Sequence, residues 1–176
     1  MVVAAKSTIS LAEFLQLPET KPASEYIDGQ IYQKPMPQGK HSRLQKRLLE
    51  AISEVGEPQK LACAFPELRC TFGGRSIVPD IAVFECANRF EIPPDWIIEI
   101  LSPDQSPNQV IKKIIFSINH GTKLGWFADP SDKSVIVFQP NQLPEVKSDT
   151  DILPVLSVLG DWQLSAAELF NWLKIN

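Results

Sequence analysis

Two short, strongly apolar runs each carry one acid. Ile77-Val-Pro-Asp-Ile-Ala-Val-Phe has Asp80 at its centre, and Trp96-Ile-Ile-Glu-Ile-Leu has Glu99. Runs of this kind are expected of strands covered on both faces. A carboxylate inside such a strand is costly to desolvate unless a cation compensates it. Pro79 lacks the N–H of a ladder donor beside Asp80, which points to a bulge or a strand end there. Two isolated acids on neighbouring short strands are how a protein builds an oxygen-ligand site for Mg²⁺ or Mn²⁺. Either acid alone is better explained as a strand-end group meeting solvent or an arginine. The pair favours the metal. Two carboxylates held close also repel, so neutralising Asp80 is expected to leave the metal-free fold intact or more stable.

Cations lie in two places near these acids in sequence. Five of them, Lys34, Lys40, Arg43, Lys46 and Arg47, fall close together. A helix is expected from about His41 to Val55, with Leu44, Leu48, Ile52 and Val55 at helical spacing and Gly56 and Pro58 ending it. Arg43, Lys46 and Arg47 occupy its polar face and suit a phosphate backbone, although a solvated face needs no ligand. His41 shares the apolar face. It is either a partly buried core histidine or a group that touches a phosphate or a water of the metal site. A second helix is expected over Pro107–Asn119, capped by Ser106 and closed by Gly121. Val110, Ile111, Ile114, Ile115 and Ile118 define its apolar face. Lys112 and Lys113 flank that face on opposite sides, and amphipathicity does not choose between them.

The remaining elements form the frame. Ser10-Leu-Ala-Glu-Phe-Leu-Gln-Leu reads as a short capped helix stopped by Pro18. Asp28-Gly29 between Ser24–Ile27 and Gln30–Lys34 signals a hairpin. Strands are expected over Leu61–Phe65, Leu68–Phe72, Ile77–Phe84, Trp96–Leu101, Leu124–Ala128 and Val135–Gln139, with a closing amphipathic helix over Ser165–Ile175. This is a mixed α/β arrangement of helices against a central sheet, preceded by an N-terminal helix and hairpin. A length of 176 residues, with 44% hydrophobic and 22% charged, fits one globular domain over 1–176 and excludes a disordered chain. The net charge of −4 excludes a uniformly basic nucleic-acid binder, so any polyanion must meet a local patch or a metal. Cys63, Cys70 and Cys86 lack a Cys-x-x-Cys pair, and with two histidines they exclude a zinc ribbon or finger. They are expected as reduced thiols. No run is long enough to span a bilayer and the start lacks a signal-peptide pattern, so the expectation is a cytoplasmic protein. Trp96, Trp126, Trp162 and Trp172 sit in apolar runs and read as core.

The order Pro79-Asp80, Glu99 in a strand, then a nearby lysine resembles the PD-(D/E)XK nuclease superfamily. There the two acids hold the metal, and the lysine orients the attacking water and stabilises phosphate charge. The position two after Glu99 is Leu101, not lysine. A narrower resemblance supplies the lysine from elsewhere. Glu25-Tyr-Ile-Asp28-Gly29-Gln-Ile, Pro35 to His41, Val78-Pro-Asp80, Ile98-Glu99-Ile-Leu-Ser102-Pro103, Lys113 with Gly121, Trp126, and Asp129-Pro130 are together similar to the Uma-type restriction endonuclease family. So is the closing Gly160-Asp-Trp-Gln-Leu-Ser-Ala-Ala-Glu-Leu-Phe. That resemblance implies a catalytic lysine on the helix, eight residues before a glycine, which is Lys113. Ser117 stands where the family usually has tyrosine, and Gly121-Thr122 where it usually has Gly-Val.

Glu25 matches the family's acid before the Asp-Gly turn. The resemblance implies a third site acid there, while an exposed hairpin acid is the alternative. The resemblance further implies a restriction-endonuclease-like mixed sheet flanked by helices and hydrolysis of DNA with Mg²⁺ (or Mn²⁺) held by Asp80 and Glu99. It also implies a homodimer that pairs two sites. The competing expectation is a catalytically silent nucleic-acid-binding or interaction module with the same fold, favoured by the missing strand lysine and the modest basic patch.

Overall fold

The computed structural model describes residues 8–86 and 93–175. The first helix, α1 (Leu11–Phe14), starts at a capping box in which Ser10 Oγ accepts from the Glu13 N–H and the Glu13 carboxylate accepts from the Ser10 N–H. The hairpin follows as β1 (Ser24–Ile27) and β2 (Gln30–Gln33), turned at Asp28 and Gly29, whose φ angles are 51° and 83°. Two residues with φ > 0 are what a tight hairpin turn demands, and Asp-Gly supplies them at low cost.

The strands of the main sheet are β3 (Ala62–Pro66), β6 (Ile81–Glu85), β7 (Trp96–Ile100), β8 (Leu124–Asp129), β9 (Ser134–Phe138) and β10 (Glu145–Ser148). They lie in the order β10-β9-β8-β7-β6-β3. Only β7 and β8 are parallel, and α3 (Pro107–Asn119) makes the crossover between them. In a smaller sheet, β4 (Cys70–Phe72) and β5 (Arg75–Ile77) close on the hairpin, giving the order β2-β1-β5-β4.

Strand alternation sorts the main sheet into two faces. Ile81, Val83, Trp96, Ile98, Ile100 and Trp126 share one core with Leu44, Leu48 and Ile52 of α2 (Gly39–Gly56) and with α4 (Ala166–Asn171). Ala82, Phe84, Ile97 and Phe127 share the other with Val110 and Ile114 of α3 and with Cys70 and Ile77 of the small sheet. Glu99 falls two residues after Ile97, so its side chain leaves β7 on the α3 face. Gly125 of β8 lets α3 approach closely, because a Cβ there would collide with Ile114. Trp96 and Trp126 are fully buried, while Trp162 and Trp172 pack partly buried against the same core.

Four expectations change. Ile77–Phe84 is not one strand: it breaks at Val78-Pro79-Asp80, leaving β5 in the small sheet and β6 in the main one. Pro79 has no N–H, and the Val78 backbone is bonded to site side chains instead of a ladder. The closing helix is shorter, Ala166–Asn171. The edge strand β10 has no counterpart among the expected strands. Cys63 and Cys86 are not both free thiols but form a disulfide, their Cα atoms 6.0 Å apart at the paired β3–β6 edge. Cys70 is the free, buried thiol.

Candidate active site

The break at Val78-Pro79-Asp80 carries the chain from the small sheet to the large one, and polar side chains converge on it. Asp80 is 2% exposed. Its Oδ1 accepts from Lys34 Nζ at 2.7 Å, and its Oδ2 accepts from the Ile100 N–H at 2.8 Å and lies 3.0 Å from His41 Nε2. Burial pushes this carboxyl up, but the charges of Lys34 and His41 outweigh it and hold Asp80 well below the usual carboxylate range. The Gln45 amide donates to the Asp80 carbonyl at 2.7 Å.

Glu99, on the neighbouring strand, is held very differently. It is 1% exposed, and neither oxygen accepts a well-aligned hydrogen bond, although Lys113 Nζ lies 2.8 Å from Oε1. Burial, with the nearby charges of Asp80 and Glu25, pushes its carboxyl up to about 8 against the pull of Lys113. The same Lys113 Nζ donates to Glu25 Oε1 at 2.8 Å, and that oxygen also accepts from the Val78 N–H at 2.8 Å. Burial alone would discharge Lys113, but Glu25 and Glu99 prevail and hold its ammonium charged. Lys113 is buried on α3, whereas Lys112 is exposed.

The geometry thus brings Asp80, Glu99, Lys113, Glu25 and His41 into one buried cluster. Residue by residue it is continuous: Glu99–Lys113–Glu25–Val78–Lys34–Asp80–His41. In the sequence Lys34 is only one of five neighbouring cations. Its position at the end of the hairpin strand, just before Pro35, is the signal that sets it apart from those on the helix. As for a metal, no group of three His, Cys, Asp or Glu side chains forms a ready cage among the described residues. Mg²⁺ is commonly held by one or two carboxylates with waters and substrate phosphates. Glu99, with neither oxygen accepting a well-aligned hydrogen bond, beside Asp80, fits that kind of site.

The model of the family described as "Putative restriction endonuclease", Uma2, matches residues 11–167. This chain belongs to that family. Among solved structures, this Uma2 chain is similar to a putative nuclease from Anabaena variabilis, with 51% identity and a TM-score of 0.90 over 94% of this chain and 99% of that one. The fold is accordingly restriction-endonuclease-like. A likeness to the DrdV–DNA complex, at 14% identity and a TM-score of 0.36 over 76% of this chain and 94% of that one, is too distant to carry any assignment. No curated protein matches this chain. Among the described residues, no helix is long and apolar enough to cross a membrane.

The cations of α2 in this Uma2 chain do not act as one patch. Arg43 donates to the carbonyls of Trp172 and Lys174, tying α2 to the end of the chain after α4. Lys46 and Arg47 point outward and share Glu50 across one helical turn. His41 alone among the expected phosphate contacts reaches the carboxylate cluster. The exposed flank of α3 is also not where periodicity put it. Val110, Lys113, Ile114 and Ser117 are buried, and Ile115 is 42% exposed. Ser117 Oγ donates to the Lys113 carbonyl at 3.0 Å.

Proposed function

We propose that this chain is a divalent-metal-dependent endonuclease that hydrolyses phosphodiester bonds in DNA, with Asp80 and Glu99 holding Mg²⁺ (or Mn²⁺) and Lys113 assisting from α3. The observation that carries this reading is Glu99, a fully buried carboxylate that accepts no well-aligned hydrogen bond and has only the Lys113 ammonium beside Oε1. Buried polar groups are ordinarily satisfied, and one left bare beside a second buried acid is expensive unless a ligand uses it. Membership of the Uma2 family and the likeness to a structure described as a putative nuclease support the same reading.

A bound divalent ion would supply Lewis-acid polarisation of a phosphate oxygen and a more acidic water. The chain's own residues do the rest. Glu25, fixed by the Val78 N–H, accepts a hydrogen bond from the Lys113 ammonium, and Glu99 faces the same ammonium as an ion pair. An ammonium has three donors, and Glu25 takes one of them, so donors remain for a phosphate oxygen. Its charge counters the negative charge that grows on the phosphate in the transition state. His41, buried against Asp80, helps to fix that carboxylate. Lys46 and Arg47, exposed on α2 and paired with Glu50, would meet backbone phosphates further along a duplex. Cutting both strands takes two such sites, which a homodimer would provide.

A nicking assay on supercoiled plasmid tests the proposal. Wild type should cleave with Mg²⁺ or Mn²⁺ and stop in excess chelator, and Glu99→Gln should lose roughly a hundredfold or more. Cleavage that survives chelator, or a Glu99→Gln variant as fast as wild type, would leave the site without the assigned role.

A further inference from the structure

Lys34 is a second ammonium buried in this site, and the mechanism above makes no use of it. It is 8% exposed, and its Nζ donates to Asp80 Oδ1 at 2.7 Å and to the Val78 carbonyl at 2.8 Å. The two lysines serve unlike acids. Lys113 leaves Glu99 without a hydrogen bond, whereas Lys34 completes an Asp80 already bonded through its other oxygen to His41 and the Ile100 N–H. Both Asp80 oxygens are therefore occupied by protein donors. A cation reaches one of them only if a donor yields or shares it.

The three donors differ in how easily they move. The Ile100 N–H belongs to the backbone at the end of β7, in the middle of the sheet. The His41 ring is packed on α2 beneath the same core. Lys34 has a long flexible stem and a second acceptor, the Val78 carbonyl, that can hold it after it leaves Asp80. We infer that Lys34 competes with the divalent cation for Asp80 Oδ1: its ammonium occupies that oxygen in the metal-free protein and yields to the metal, staying tethered to Val78 as a positioning residue. The inference rests on the metal reading for Asp80 and Glu99. It explains how three buried carboxylates, Glu25, Asp80 and Glu99, stay together without a metal: two internal ammoniums neutralise most of their charge. It also makes the metal's affinity a competition against an internal charge.

Lys34→Met removes that charge while keeping much of the stem. Calorimetric titration with Mn²⁺ in the absence of DNA should show the folded variant binding at least about tenfold more tightly than wild type, because the competing unit charge is gone. A merely structural Lys34 would lower the melting temperature and leave Mn²⁺ affinity unchanged, which overturns the inference. A second measurement needs no variant and decides the matter if Lys34→Met does not fold. In wild type carrying ¹³C-labelled lysine, the Lys34 Cε resonance should shift on titration with Mg²⁺ while that of exposed Lys112 stays put. A Lys34 signal unmoved at Mg²⁺ saturation overturns the inference and leaves the metal site standing. Failure of wild type to bind Mn²⁺ at all overturns the metal reading as well.

Discussion

Replacing Lys113 by methionine separates its two neighbours from their shared cation. The ammonium lies 2.8 Å from Glu25 Oε1 and 2.8 Å from Glu99 Oε1 and is 4% exposed. Breaking a buried ion pair by removing one partner costs about 3–5 kcal/mol, since the remaining charge is left uncompensated. In a chain of this size each kcal/mol moves the melting temperature by about 2–4 °C, so Lys113→Met should melt roughly 6–20 °C below wild type. The loss should depend on pH. Glu99 already titrates well above an ordinary glutamate, and losing Lys113 raises it further. The folded variant therefore keeps a proton over a wider range, and its stability falls more steeply as pH rises from 6 to 9. Lys112→Met, on the exposed flank, should stay within about 0.5 kcal/mol. Calorimetric melts of metal-free protein at pH 6, 7.5 and 9 measure all of this. Cleavage assayed below the variant's melting range should drop by roughly a hundred- to a thousandfold. A Lys113→Met penalty under about 1 kcal/mol and flat with pH would refute the cluster as described.

Asp80→Asn should cost about 3–5 kcal/mol in a denaturant titration at pH 7, because Lys34 and His41 lose the charge they face; a neutral or stabilising result would restore simple repulsion as the dominant effect. Glu99→Gln should behave oppositely. Its pKa rises from 4.5 to about 8 on folding, so it subtracts stability progressively across that window, and the variant's melting temperature should gain on wild type between pH 5 and 8. A constant offset between the two melting curves would rule this out. Reducing the Cys63–Cys86 disulfide, which spans 23 residues, should lower stability by about 3 kcal/mol, read from melts with and without reductant. For DNA binding, Lys46→Gln with Arg47→Gln should reduce the salt slope by about 1 for each phosphate no longer neutralised, and an unchanged slope would assign both to solvent.

Much of the site is legible in the sequence because the carboxylates break a local rule: a single acid in an apolar strand stands out against its neighbours. That is why Asp80 and Glu99 are visible. Their partners are harder to see. Periodicity counts Ile111, Ile115 and Ile118 as the inner face of α3, yet Ile115 is 42% exposed and Lys113 and Ser117 are buried. Ion pairing with two acids makes a lysine a core residue, and hydrophobic periodicity cannot register a charge whose partners lie on other elements. Family spacing points to Lys113 where amphipathicity is silent. For Lys34 only its place between the hairpin strand and Pro35 is a signal, since its partner, Asp80, lies 46 residues away. The repulsion expected between Asp80 and Glu99 falls on the other acid. Asp80 has the Lys34 ammonium and the His41 imidazole as partners and is stabilised, and the strain falls on Glu99. The strand break at Pro79 is foreshadowed by the missing N–H, but the change of sheet is not. It depends on where the Val78 backbone finds its partners. The disulfide depends on the β3–β6 register, which spacing alone does not reveal.

Anomalous scattering from crystals soaked with Mn²⁺ shows directly whether Asp80 and Glu99 hold a divalent cation. One strong peak is expected within roughly 2–2.5 Å of a carboxylate oxygen of Asp80 and of Glu99, with Lys113 still between Glu99 and Glu25. A site that stays empty at saturating Mn²⁺, or a peak on other carboxylates, would contradict it.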